Sequence, residues 1–129
     1  MKSRTQAALV AALDPYERLA EIGIGRRTDV AAALAASGTR VVATDVHRRS
    51  VPDGVRFVRD DVTRPDPSVY TDVEAIYALN LPPELHRPAW SLARRTGADF
   101  LFTTLGGDAP EVPVSRHTLP GETLFVAER

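Results

Sequence analysis

Short apolar runs, each ended by glycine, proline or aspartate, recur along the chain and alternate with two stretches of helical spacing. Tyr16 to Ile22 reads as a strand that stops at Gly23. Val30, Ala33, Leu34 and Ser37 then recur at helical intervals within Arg27 to Ser37, until Gly38 closes the helix. Thr39 to Thr44, with its Val41-Val42-Ala43 centre, is the next strand. A strand, a helix and a strand in about thirty residues imply parallel pairing through a right-handed crossover. Val55 to Arg59, Glu74 to Leu79 and Ala98 to Thr104 continue the series, mostly as β-branched or aromatic runs. Between the last two, Leu85, Ala89, Leu92 and Ala93 form a helical stripe that ends at Gly97, with Pro83 or Pro88 placed to start it. The Pro/Gly-broken segment Asp45 to Gly54 is too short for a good helix. After Gly107 the pattern changes, and Val112 to Leu119, a Pro120-Gly121 turn and Glu122 to Ala127 read as an antiparallel hairpin.

The expected fold is therefore α/β, a compact Rossmann-like, doubly wound, mostly parallel sheet of order 3-2-1-4-5, extended beside the fifth strand by the hairpin. Such a sheet binds ligands at the carboxyl ends of its central strands, near the first crossover. The length of 129 residues supports one domain spanning the chain and a core that needs no staples. The apolar run Ala7 to Leu13 is too short to span a bilayer. Lys2 and Arg4 ahead of it faintly resemble a signal peptide, but Asp14 and Pro15 follow without a cleavage pattern, so the run is read as the first helix of a cytoplasmic protein.

Composition narrows the chemistry by exclusion. Sixteen basic and seventeen acidic residues give a net charge of −1, so no broad nucleic-acid binding is expected, although a local basic patch is compatible with it. The absence of cysteine removes disulfides, thiolate zinc sites and cysteine nucleophiles. His47, His86 and His117 have no metal-ligand spacing, so no metal is expected. Ser91 and Ser115 lack a nucleophile-elbow context. No catalytic residue can be named.

The informative stretch is Glu21-Ile22-Gly23-Ile24-Gly25-Arg26-Arg27-Thr28, between the first strand and the first crossover helix. Glycines let backbone amides approach a ligand, and the helix start adds partial positive charge. Asp45 ends the second strand 22 residues beyond Gly23, where a carboxylate can accept from a ribose diol. A carboxylate committed to a ribose would leave the ligand-free fold little affected on its removal. A small-molecule nucleotide ligand is thus expected, with the protein partner, if any, unknown. Thr28 is larger than the Gly or Ala that closes a dinucleotide fingerprint, and a carboxylate at Glu21 would repel a pyrophosphate. Glu21 suits an ammonium instead. Arg26 and Arg27 suit phosphate or carboxylate, or else form exposed ion pairs with Glu21 or Asp29. Asp60 and Asp61 could contact a ligand or cap a turn into Thr63.

These residues also carry a resemblance. Glu-Ile-Gly-Ile-Gly at 21–25, Thr44-Asp45 and Arg59-Asp60-Asp61-Val62 resemble the successive cofactor-binding motifs of class I S-adenosylmethionine-dependent methyltransferases. More closely, Glu21 to Ala31, Ala43-Thr44-Asp45, Asn80 to Leu85 and Gly97-Ala98-Asp99 resemble an uncharacterised archaeal protein family, number 0146, over nearly the whole chain. The methyltransferase resemblance implies S-adenosylmethionine as cofactor, with Gly23 and Gly25 facing its methionine part, Asp45 its ribose and Asp61 its adenine amino group. Arg27 stands where that loop usually has a third glycine. The Asn80-Leu81-Pro82-Pro83 stretch differs from the Asn-Pro-Pro-aromatic motif of amino-group methyltransferases and reads as a proline-initiated helix, and Gly106-Gly107-Asp108 as a turn into the hairpin. The alternative is a non-enzymatic module that senses NAD or a related nucleotide.

Overall fold

A computed structural model describes residues 3–129; Lys2, of the amino-terminal basic pair, lies outside the described residues. All strands join one seven-stranded sheet, formed by β1 (Arg18–Ile22), β2 (Arg40–Asp45), β3 (Val55–Arg59), β4 (Ala75–Ala78), β5 (Asp99–Phe102), β6 (Val114–Leu119) and β7 (Glu122–Ala127). Its order is β3-β2-β1-β4-β5-β7-β6, so the expected 3-2-1-4-5 core and its extension by the hairpin are both present. β1 to β5 pair in parallel, with Val41 beside Leu19 on one side and Val55 on the other. β7 runs antiparallel between β5 and β6. The strands begin and end within one or two residues of the apolar runs.

Helices cover the two faces unequally. α1 (Arg4–Leu13) and α2 (Asp29–Ala36) lie on one face, where Leu9, Leu13, Val30, Ala31 and Leu34 pack over Leu19, Val41, Ala43 and Tyr77. α1 is capped by Ser3, whose side chain accepts from the Gln6 amide, and is tied to the hairpin by a hydrogen bond from the Thr5 hydroxyl to the Pro120 carbonyl. The other face has a single helix, α3 (His86–Thr96), which follows a 3-10 turn at Pro83–Leu85. Pro83 thus initiates the turn and Pro88 falls in the first turn of the helix.

Non-helical chain covers the rest of that face. Between β3 and β4, Val62, Tyr70 and Val73 are buried against Ala20, Ile22 and Val42. This segment satisfies its own backbone through aspartates: Asp61 accepts from the Thr63 amide, Asp66 from the Ser68 amide, and Asp60 from the Asp66 amide. Between β5 and β6, Val112 fills the equivalent place beside Phe100, Phe102 and Phe125. The Phe100 and Phe102 rings stack at 4.8 Å, and Phe102 meets Phe125 at 5.4 Å.

His86 fastens this second covering segment. It is fully buried; its Nδ1 accepts from the Glu111 amide at 3.1 Å, which leaves Nε2 to donate to the Leu81 carbonyl at 2.9 Å. His86→Phe keeps a ring against Phe102 but leaves the buried Leu81 carbonyl without its donor. It should lower stability by about 1–3 kcal/mol, read as a lower urea midpoint with an unchanged slope.

Candidate functional site

The candidate site starts where β1 runs out of paired neighbours. Gly23 and Gly25 have φ values of +67° and +54°, in the left-handed region that glycine enters without strain. Their amides are held by β2. The Thr44 carbonyl accepts from both the Gly23 and Ile24 amides, at 2.9 and 3.1 Å, and the Asp45 carboxylate accepts from the Gly25 amide at 2.9 Å. Ile24, between the glycines, is buried beneath the loop among Leu34 and Ala43. A Cβ added at Gly23 would meet nothing within 4 Å, so the outer side of the loop is open to a ligand.

Asp45 itself is 7% exposed. Its second oxygen accepts from the His47 amide at 2.9 Å, and Arg49 Nε stands 3.5 Å from the first. The carboxylate therefore shapes the loop and the exit of β2, whatever else it binds. This changes the expectation that its removal leaves the ligand-free fold untouched: two backbone amides would lose their acceptor. Each oxygen keeps lone-pair capacity for a ligand hydroxyl. Arg49 Nε is buried without a hydrogen-bond partner.

Glu21 is 1% exposed, on the face covered by α1 and α2. Tyr77 lies beside it on β4 as its register partner, and the phenol donates to Glu21 Oε1 at 2.7 Å. Burial pushes the Glu21 carboxyl up to about 8, against smaller downward pulls from the Tyr77 hydrogen bond and the Arg27 charge. Burial, with the neighbouring Glu21, likewise holds the Tyr77 phenol well above its usual range. At neutral pH this carboxyl retains its proton in the folded protein.

Neither Arg26 nor Arg27 forms an ion pair with Glu21. Arg26 is exposed, and Arg27 lies 3.8 Å from Asp29 and 3.9 Å from Glu122 of the hairpin, distances typical of weak surface pairs. Thr28 is the N-cap of α2 without a side-chain capping bond. Asp61 is exposed and forms a turn, accepting from both the amide and the hydroxyl of Thr63, which holds its carboxyl below the usual range. The glycine loop, Glu21 and Asp45 are therefore brought together, while Asp61 stands at the exit of β3.

Several participants were not singled out in the sequence. Tyr77 looked like one more apolar strand residue; the usable signal was Glu21 itself, because a carboxylate in a buried strand needs a polar partner on a neighbouring strand. Tyr70 is buried and donates to Asp60 at 2.7 Å, with Thr44 at 3.3 Å, and burial with that hydrogen bond raises its phenol. Asn80, after β4, has φ +55° and donates its amide to Thr103. It lines a cleft of about 680 Å³ with Thr104, Gly106, Gly107, Asp108 and Phe125 at the carboxyl ends of β4 and β5. Gly106 to Asp108 thus both turn the chain and border the cleft. Among the described residues no group of three or more His, Cys, Asp or Glu side chains could hold a metal ion, and no helix is long and apolar enough to cross a membrane.

Two substitutions test this geometry. The folded chain keeps the Glu21 proton up to about pH 8, whereas the unfolded chain releases it near 4.5, so this group's stabilising contribution is lost as pH rises through that interval. Glu21→Gln should flatten that part of the stability profile and make the protein more stable than its parent above pH 8, measured by urea midpoints at acidic, neutral and alkaline pH. Asp45→Ala should lower the ligand-free stability by about 1–3 kcal/mol, read the same way.

Comparison with known proteins agrees with this architecture. A UPF0146 protein of Halobacterium salinarum is 52% identical over 125 residues, which cover 95% of this chain and 97% of the relative. Among solved structures, the magnesium protoporphyrin IX methyltransferase of Synechocystis with bound SAM superposes with a TM-score of 0.65 at 12% identity, over 96% of this chain and 78% of that one. A TehB-like SAM-dependent methyltransferase of Corynebacterium glutamicum gives 0.64 at 16% identity, over 99% and 89%. The fold is that of the Rossmann-like methyltransferases. The model of the uncharacterised protein family UPF0146 matches residues 4–129, and this chain belongs to that family.

Proposed function

We propose that this protein binds S-adenosylmethionine at the carboxyl ends of β1 and β2, as a methyltransferase-like domain. The observation that carries the reading is the open glycine loop that follows the buried Glu21 of β1 and is held by Asp45 of β2, in a sheet of order 3-2-1-4-5-7-6. The solved neighbours named for SAM add support at the level of the fold. In this reading Gly23 and Gly25 present their backbone to the methionine part, and Glu21 gives up its proton to meet the ammonium. Asp45 accepts from the ribose hydroxyls while keeping the loop in place, and Asp61 receives the adenine amino group at the exit of β3. Arg26, Arg27 and Thr28 border the start of α2. The bound cofactor would supply a methyl group, and the cleft beside Asn80 is where an acceptor would lie. Transfer depends chiefly on holding an acceptor in line with that methyl group.

A second reading, a non-enzymatic module that senses NAD or a related nucleotide, draws on the exposed Arg26 and on Arg49 Nε, buried beside Asp45 without a hydrogen-bond partner. Both suit a phosphate. It ranks lower because Thr28, rather than Gly or Ala, stands where a dinucleotide turn needs its third small residue.

Melting temperature with each ligand separates the two. S-adenosylmethionine or S-adenosylhomocysteine at a hundred times its dissociation constant should stabilise the fold by about 2.7 kcal/mol. Mass spectrometry of small molecules released from the purified, denatured protein should recover the same nucleotide. A shift with NAD and none with either sulfur nucleotide would reverse the ranking.

A further inference from the structure

We infer that the outer face of α3 is a binding surface for single-stranded nucleic acid, on the side of the sheet opposite α1 and α2. The helix buries His86, Ala89, Leu92 and Ala93 and turns Arg87, Ser91, Arg94 and Arg95 to the exterior. It contains no acidic residue, and none of these three arginines forms an ion pair with a described residue. In a chain of net charge −1, three unpaired guanidinium groups on one helix face make a local basic patch.

Helix stability does not account for this pattern. Arg94 and Arg95 lie in the last turn, where cations are favoured by the helix dipole, but Arg87 lies in the first turn, where a cation is disfavoured. An aromatic platform completes the patch. Trp90 is pinned by its indole N–H, which donates to the Glu128 carbonyl at 2.7 Å, and the Arg94 guanidinium carbon lies over its ring, 4.7 Å from the centroid. Arg87, Trp90, Ser91, Arg94 and Arg95 together line one shallow depression.

The chemistry that matches is a phosphodiester chain with accessible bases. Guanidinium forks bind phosphate oxygens, and the exposed Arg94 guanidinium over Trp90 offers a platform on which an unpaired base can stack. An acidic peptide would satisfy the charges and leave the platform unused. The arrangement therefore favours single strands over carboxylate-rich protein.

Trp90 is the only tryptophan of the chain, so its emission reports on this face directly. Titration of the full chain with a short oligouridylate, and separately with oligodeoxythymidylate, should quench that emission saturably. Three phosphate contacts predict a slope of about −2 for log K against log salt, at about −0.7 per contact on a single strand. Arg94→Gln/Arg95→Gln should weaken binding of an end-labelled strand about tenfold or more, measured by anisotropy, and reduce the slope to about −0.7. Arg87→Gln, at an exposed site, should lower the slope by about one contact and keep the parent melting temperature; it carries the test if the double variant fails to fold. Binding of either oligonucleotide with these slopes supports the inference and shows which sugar is accepted. Absence of quenching, slopes that the variants leave unchanged, or equal binding of oligoglutamate would overturn it.

Discussion

Three consecutive backbone amides after β1 find their acceptors at the end of β2. The Thr44 carbonyl takes the Gly23 and Ile24 amides, and the Asp45 carboxylate takes that of Gly25. Arg26, next in line, is exposed to water. With those bonds made, the chain must pass through two left-handed conformations, and it can do so only because glycine stands at both. The bonds also set where α2 begins, since Thr28 and Asp29 follow within a few residues, and they leave the loop's outer side uncovered. The shape of the candidate site is therefore fixed by its neighbouring strand before any ligand arrives.

Two residues before the loop the protein keeps a buried carboxyl group at considerable cost. A buried carboxylate is unfavourable, and the fold answers by holding Glu21 protonated and giving it the Tyr77 hydroxyl as donor. An apolar residue at position 21 would avoid that penalty but leave the buried Tyr77 hydroxyl without its acceptor. The pair also links β1 to β4, so a change in the charge of Glu21 is felt on both central strands.

The opposite face of the sheet shows how a short chain manages with few helices. Only α3 covers it, and the remaining area is closed by segments that carry buried residues of their own, Val62, Tyr70 and Val73 on one side and Val112 on the other. Such segments would expose unpaired backbone without local partners. Asp60, Asp61 and Asp66 supply them after β3, and His86 supplies one to the segment after β5. α3 packs His86, Ala89, Leu92 and Ala93 on the core and leaves Arg87, Arg94 and Arg95 exposed.

The sequence alone determined the strand series, the crossover helix, the hairpin and the place of the glycine loop, because each depends on local signals: apolar runs of strand length, helical periodicity, and glycine or proline at the boundaries. It also placed Glu21 and Asp45 near one edge of the sheet. Only the tertiary structure decided what those carboxyls do. Asp45 accepts from amides that are two and twenty residues away, and Glu21 meets a phenol fifty-six residues on, because β1 lies between β2 and β4 in space. Periodicity cannot reveal a cross-strand partner, since the identity of the neighbour follows from sheet order and the partner's type from register. The same holds for His86 and for the Trp90–Arg94 contact. A helical stripe shows which side faces the core, but Glu128, whose carbonyl pins the indole, reaches it only once β7 has been laid beside β5.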